Sequence, residues 1–153
     1  MDRGVYVLIL YLPSDRTINV GKLGEINFKK GFYAYVGSAL NGLRARILRH
    51  VRRQKKFHWH IDYLSVLSIP QMAIIAKTDE RMECPIAREL ANNFFYVKNF
   101  GSTDCDCKSH LFYSKDRETL LKVVKKAFIK LGLNPELLRV VGSEFKLRTS
   151  ISN

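Results

Sequence analysis

Two tyrosines, an arginine and a histidine stand at positions where their chemistry can combine. Tyr6 follows Gly4-Val5, and Tyr35 precedes Val36-Gly37. Both lie in apolar, strand-like runs. Side chains alternate along a strand, so Tyr33, Tyr35 and the position of Gly37 share a face. If the two runs pair antiparallel, Tyr6 and Tyr35 come side by side. A phenol in water has a pKa of about 10. Beside a metal ion or several cations its phenolate is favoured, and a phenolate can take a proton from water. Two core tyrosines with satisfied hydroxyls are the plainer reading of the same residues. Arg46 and His50 are four apart in a helical window, so they share a helix face. Both border the Leu43, Ile47 and Val51 stripe, which pins them beside whatever that stripe packs on. Side chains held there are better placed for precise work than free surface arginines.

The same window is strongly basic. No acidic residue occurs from Ile26 to Ile61, while Arg44, Arg46, Arg49, Arg52, Arg53, Lys55 and Lys56 fall there with His50, His58 and His60. A surface of this kind neutralises phosphates, with an affinity that falls as salt rises. Taken alone it binds backbone without sequence preference. A solvated helix face accounts equally well for Arg52, Arg53, Lys55 and Lys56.

The elements that must position these residues can be read from pattern. Val5 to Leu12 is a buried strand stopped by Pro13-Ser14-Asp15. Thr17 to Val20 and Glu25 to Phe28 form a small hairpin around Gly21-Lys22-Leu23-Gly24. Phe32 to Gly37 is a second core strand and Gln71 to Ala76 a third. Helices are expected from an Asn41 cap to about Gln54, over Trp59 to Val66, over Pro85 to Asn93, and over Lys115 to Leu131 with Gly132 as the stop. The sum is an α+β, or mixed α/β, domain. Residues 1–146 read as one domain and 147–153 as a loose polar tail.

Composition agrees with a folded, polyanion-binding chain. The 153 residues fit one compact domain, and 46% apolar content suffices for a core. The net charge of +12, clustered rather than spread, favours an anionic partner. No apolar run is long enough for a transmembrane helix, and no signal-peptide pattern is visible, so the expectation is a cytoplasmic protein with no membrane partner.

In order along the chain, these residues resemble the GIY-YIG nuclease superfamily. Gly4-Val5-Tyr6 matches the first motif, Tyr35-Val36-Gly37 the second, and Arg46 with His50 the helical pair that follows. His58 falls near a further histidine carried by some members. The remaining features resemble a subgroup best known from archaea and sometimes fused to endonuclease III-type glycosylases. They are Gly37-Ser38-Ala39, Arg44-Ala45-Arg46 with Arg49-His50, Trp59-His60-Ile61-Asp62-Tyr63-Leu64, Glu83-Cys84, and Asp104-Cys105 through Cys107 to Ser109-His110-Leu111-Phe112. Each short motif is weak; the ordered set, from Gly4 to about Tyr113, is specific. The resemblance implies a small three-stranded antiparallel central sheet flanked by helices, with the hairpin inserted between the first two core strands.

It also implies an activity: metal-dependent endonucleolytic hydrolysis of DNA phosphodiester bonds, with DNA repair or processing as the setting. The alternatives are a non-catalytic nucleic-acid-binding module on the same fold, or a nuclease directed at RNA. The catalytic set would be Tyr6, Tyr35, Arg46 and His50. The metal ligand would be Glu83, with Glu89 as runner-up; six residues of helix make it hard for both to reach one site. The ion would be Mg²⁺, or Mn²⁺, since a hard cation suits one carboxylate plus phosphate. Arg44, Arg49, Arg53, Lys55, Lys56 and His58 are the expected nucleic-acid contacts. Ser38, His60, Asp62, Asp104 and His110 are supporting residues without a sharper role. Trp59 and Ile61 are expected to pack, and Asp62 to orient a neighbouring histidine or arginine.

The three cysteines are an odd number, which argues against a disulfide framework. Cys84, Cys105, Cys107 and His110 make a Cys₃His set of the type that suits Zn²⁺. Their spacing is not that of the usual zinc knuckle, and Cys84 is far away in sequence. Buried free thiols are the preferred reading, with a Cys84 disulfide to one of the pair as a third.

Overall fold

A computed structural model describes residues 2–141 and 144–146 of the chain. The tail expected at 147–153 lies outside the described residues. Among the described residues, nine strands and four α-helices follow one another as β1 (Gly4–Leu12), β2 (Arg16–Asn19), β3 (Glu25–Phe28), β4 (Gly31–Ala39), α1 (Leu43–Val51), α2 (His60–Ser65), β5 (Ile69–Lys77), α3 (Glu83–Ala91), β6 (Phe95–Tyr96), β7 (Leu111–Ser114), α4 (Arg117–Lys130), β8 (Glu136–Val141) and β9 (Glu144–Lys146). The class is α+β.

The main sheet runs β6-β7-β4-β1-β5-β8-β9, and every neighbouring pair is antiparallel. The expected three-stranded core, β4-β1-β5, is its centre. The sheet is wider than expected because β7 pairs with the outer edge of β4 and β8 with that of β5. Unpaired strand edges template association, and added strands cover them. The hairpin β2-β3 is present as a separate two-stranded sheet.

The central strand explains its own composition. Every residue of β1 except Tyr11 is buried, because both faces of the strand are covered. Tyr6, Leu8, Leu10 and Leu12 pack with Tyr33, Tyr35, Leu43, Ile47, Ile61 and Leu64, under α1, α2 and the hairpin. Val5, Val7 and Ile9 pack with Ile86, Leu90, Val124 and Phe128, under α3 and α4. The strand period of two sends alternate residues to the two layers. Both phenols therefore belong to the α1/α2 layer.

The start of α1 departs from expectation. Gly42, not Asn41, is the cap residue, and no side chain caps this end. The chain turns there at φ 133°, a conformation glycine alone adopts easily. The first amide, Leu43 N–H, donates instead to the Asp2 carbonyl at 2.8 Å, fastening α1 to the strand that carries Tyr6. At the far end of the domain Gly132 adopts φ 78° and ends α4 as expected. No helix among the described residues is long and apolar enough to cross a membrane.

Candidate active site

Register places the two phenols. Tyr6 lies opposite Gly37 and Leu8 opposite Tyr35, so the tyrosines are diagonal neighbours on one face, with ring centroids 6.5 Å apart. The glycines of both tripeptides have steric causes. A Cβ on Gly37 would run into the ring and hydroxyl of Tyr6, and one on Gly4 into the backbone carbonyl of Ala76 on β5. Gly37 is thus the floor under the Tyr6 ring.

α1 adds the next two groups. The Tyr6 hydroxyl and His50 Nε2 are 2.7 Å apart and buried. His50 also stands edge-on to Tyr35, with centroids 5.8 Å apart. Its Nδ1 is buried and has no hydrogen-bond partner. Burial, reinforced by Lys55 and by Arg46 and Arg49, lowers the His50 pKa to about 3, against the opposing pull of Asp62. His50 is accordingly a neutral imidazole. Burial also raises both phenols, Tyr6 well above the ordinary range, with the Arg46 guanidinium pulling each back in part. At rest the protein therefore holds two phenols. This corrects the expectation that clustered cations favour the phenolate: desolvation outweighs them.

Ser38, at the end of β4, joins the arginine to the carboxylate. Its carbonyl accepts from Arg46 Nη1 at 3.2 Å, and its hydroxyl donates to Glu83 Oε2. Glu83 opens α3, which packs on the opposite layer, so it reaches the site around the end of β4. Its charge is felt at Tyr35. Tyr6, Tyr35, Arg46, His50 and Glu83 are thus brought together. The runner-up Glu89 is not. It faces α4, where its carboxylate pairs with Lys130 at 3.0 Å.

A brace of charged and aromatic groups surrounds this set. Asp62 is fully buried and takes two bonds from Arg49, at 2.8 and 3.0 Å. It also accepts from the amides of His58 and Trp59, at 2.8 and 2.9 Å, and the Arg49 and amide bonds hold its carboxyl below the usual range although burial opposes them. The guanidinium carbons of Arg46 and Arg49 lie 4.5 and 4.4 Å from the Trp59 ring centroid. Asp62 thus orients an arginine, and Trp59 and Ile61 pack. Arg49 and Lys55, both expected to touch nucleic acid, are occupied within the fold. Lys55 bonds the carbonyls of Arg49 and His50 and the Ser65 hydroxyl, capping the end of α1, and burial lowers its pKa to about 8. Arg53 donates to the Val66 carbonyl, and Arg44 stands 3.7 Å from Asp2. Lys56 and His58 are exposed, as is Arg52.

The loop between β6 and β7 closes the other side. Phe100 is fully buried beside Tyr35, with centroids 6.4 Å apart. The backbone at Gly101 passes so close to the Tyr35 ring that a Cβ there would lie 3.0 Å from it. Gly101 N–H donates to His60 Nδ1 at 2.9 Å. His60 is therefore a loop anchor, lowered in pKa by burial with exposed Asp104 opposing. Sequence pattern gave no sign of the Phe100 and Gly101 contact, which is made across the fold.

Beyond Glu83 lies a second cluster. The ligand atoms of Cys84, Cys105, Cys107 and His110 all fall within 4.8 Å of one another, a set able to hold a metal ion. The three cysteines are free, so the disulfide alternative is not formed. His110, also singled out as a supporting residue, belongs to this cluster, and the Glu83 charge still reaches it.

Comparison with known families gives one match. The model described as domain of unknown function DUF123 covers residues 5–133, from β1 through α4. No curated protein and no solved structure matches the chain.

Proposed function

The chain belongs to the DUF123 family, and from that premise we propose that it is a metal-dependent nuclease of the GIY-YIG type, hydrolysing phosphodiester bonds of DNA. One observation carries the reading: Tyr6, Tyr35, Arg46 and Glu83 come from β1, β4, α1 and α3 and meet around Ser38 and His50.

The donor set suits a hard divalent ion. Glu83 is the carboxylate at the site, Ser38 engages its Oε2, and Oε1 would be the atom offered to a cation. One carboxylate, completed by water and phosphate oxygens, is a common Mg²⁺ arrangement, and Mn²⁺ accepts the same ligands. A bound ion would supply Lewis acidity at a phosphate oxygen and acidify a bound water.

The protein's own groups would divide the remaining work. Arg46, fixed by Ser38 and Trp59, would stabilise the negative charge that develops on the phosphoryl oxygens. Neutral His50 holds the Tyr6 hydroxyl in place. Tyr6 is committed to that bond, so Tyr35 is the phenol available to orient an attacking water. Exposed Lys56 and Arg52 extend the positive surface toward the nucleic acid, with His58 beside them.

The test is incubation of the pure protein with labelled duplex, branched and damaged DNA, and with RNA, with Mg²⁺ or Mn²⁺ and with chelator. Metal-dependent cleavage of DNA that is lost in Arg46→Ala and Glu83→Gln is expected. Binding without cleavage on every substrate overturns the reading in favour of a non-catalytic nucleic-acid-binding module. The protonated resting state of both phenols is the observation on that side. Cleavage of RNA alone would redirect the activity.

A further inference from the structure

We propose that Cys84, Cys105, Cys107 and His110 hold a zinc ion that works as a clamp, fixing Glu83 and Tyr35 relative to each other. Only the effect of this clamp on cleavage rests on the nuclease reading; the ion and the tie between Glu83 and Tyr35 do not.

The geometry is that of a nearly closed tetrahedral site. His110 Nε2 lies 3.5 Å from Cys105 Sγ and 3.9 Å from Cys84 Sγ. Around zinc, with metal–sulfur bonds of about 2.3 Å and metal–nitrogen bonds of about 2.0 Å, such atoms stand roughly 3.5–3.8 Å apart. All four already lie within 4.8 Å, so side-chain adjustments suffice. Three thiolates and an imidazole select a soft or borderline ion over Mg²⁺. Four protein ligands leave no open position, which is the mark of a structural ion rather than a catalytic one. Cys107 and His110 are buried and the other two are half-buried, so the ion would be largely screened from water.

What the ligands are attached to gives the site its purpose. Cys84 is the residue after Glu83, in the first turn of α3. Cys105 and Cys107 sit in the loop between β6 and β7, where Cys105 bonds Ser102. His110 ends that loop, and its carbonyl accepts from Val36 N–H at 2.9 Å, one residue past Tyr35. An ion joining these four would tie the Glu83 turn, the Gly101 backbone that lies against Tyr35, and the β4 strand into one unit. The loop has little regular structure of its own: Asn99 N–H to Lys108 O and His110 N–H to Phe100 O are its main internal ties. Long loops without secondary structure are usually functional when they are ordered.

The experiment starts from the full chain purified without chelator. Elemental analysis should give stoichiometric zinc, and exchange for Co²⁺ should give thiolate charge-transfer and tetrahedral ligand-field absorption. His110→Ala should lose the ion and His110→Cys should keep it. Loss of zinc should raise hydrogen exchange at the first turn of α3 and at Val36, and raise the Mg²⁺ needed for half-maximal cleavage by about tenfold or more, as outer-shell partners do. Zinc-free protein whose three thiols titrate freely, with exchange unchanged by chelator, overturns the site. Bound zinc whose removal leaves exchange at α3 and Val36 unchanged overturns the clamp. If the protein never cleaves, the nuclease reading falls, and the metal and exchange measurements still decide the clamp.

Discussion

The Tyr6 hydroxyl on β1 and His50 Nε2 on α1 stand 2.7 Å apart in the interior, where the helix packs on the strand. The neutral imidazole is what makes this contact tolerable: a charged one would be stranded between Arg46, Arg49 and Lys55.

That neutrality predicts an acid-labile fold. The unfolded chain protonates His50 near a pKa of about 6.5, whereas the folded protein resists protonation down to about 3. The contribution of His50 is therefore whole above the unfolded value and drains away as pH falls toward the folded one. The slope approaches ~1.4 kcal/mol per pH unit from this residue alone. Asp62, whose pKa is lowered, adds loss of the same sign only at lower pH, below the ordinary carboxylate range. Urea unfolding followed between mildly acid and neutral pH should show the slope, and His50→Gln should flatten it. An equal slope in the variant would contradict the neutral assignment.

Gly37 and Gly4 should fail as alanines for different reasons. Gly37→Ala meets a side chain, the Tyr6 ring, which can shift. The expected cost is about 1–3 kcal/mol, as for overpacked cores, with cleavage lost along with the Tyr6 position. Gly4→Ala meets the Ala76 carbonyl, which is backbone within the β1-β5 ladder and cannot move alone. Its destabilisation should be the larger of the two. Denaturant midpoints of both variants decide the order.

Asp62→Ala should unseat Arg49 and the turn before α2 together. A buried charge pair broken on one side costs roughly 3 kcal/mol, and two amides also lose their acceptor. Trp59 is the single tryptophan of the chain and lies against both guanidiniums. Its fluorescence should change with the stability. An unchanged emission spectrum would place Arg49 elsewhere.

Basic residues of one helical region should separate by salt dependence. Arg52→Ala and Lys56→Ala remove exposed cations, and each should lower the slope of log affinity against log salt by ~0.9 on duplex DNA if it meets a phosphate. Arg49→Ala should instead lower stability, because its guanidinium is bound to Asp62 and the Lys56 carbonyl. Equal slope changes for all three would mean that the Arg49 contact opens on binding.

Residue pattern alone put Tyr6 beside Tyr35 and Arg46 on one helix face with His50; Glu83 and the convergence of the whole set were expected only from the ordered resemblance of short local motifs. The α+β class and the hairpin followed from periodicity, which is local. What escaped depends on partners distant in sequence. Arg49 and Lys55 look like their exposed neighbours until Asp62 and the α1 carbonyls are placed beside them. Strand β7 is four residues long, too short for a period, and exists because β4 offers an edge. The protonation of both phenols depends on burial, which composition cannot report. The Cys₃His cluster was visible as residue types, but its spacing became meaningful only when β7 brought His110 next to the start of α3.

The position of β1 has a consequence for how the chain acquires its shape. This strand is paired on both edges, by β4 and by β5, and the second partner ends at Lys77. During synthesis its apolar faces and one hydrogen-bonding edge stay unsatisfied until that stretch has emerged. Contacts of such long sequence separation slow folding, and the waiting strand is the segment most prone to pair with a neighbouring chain. Aggregation during expression should therefore originate in residues 4–12, however stable the finished domain.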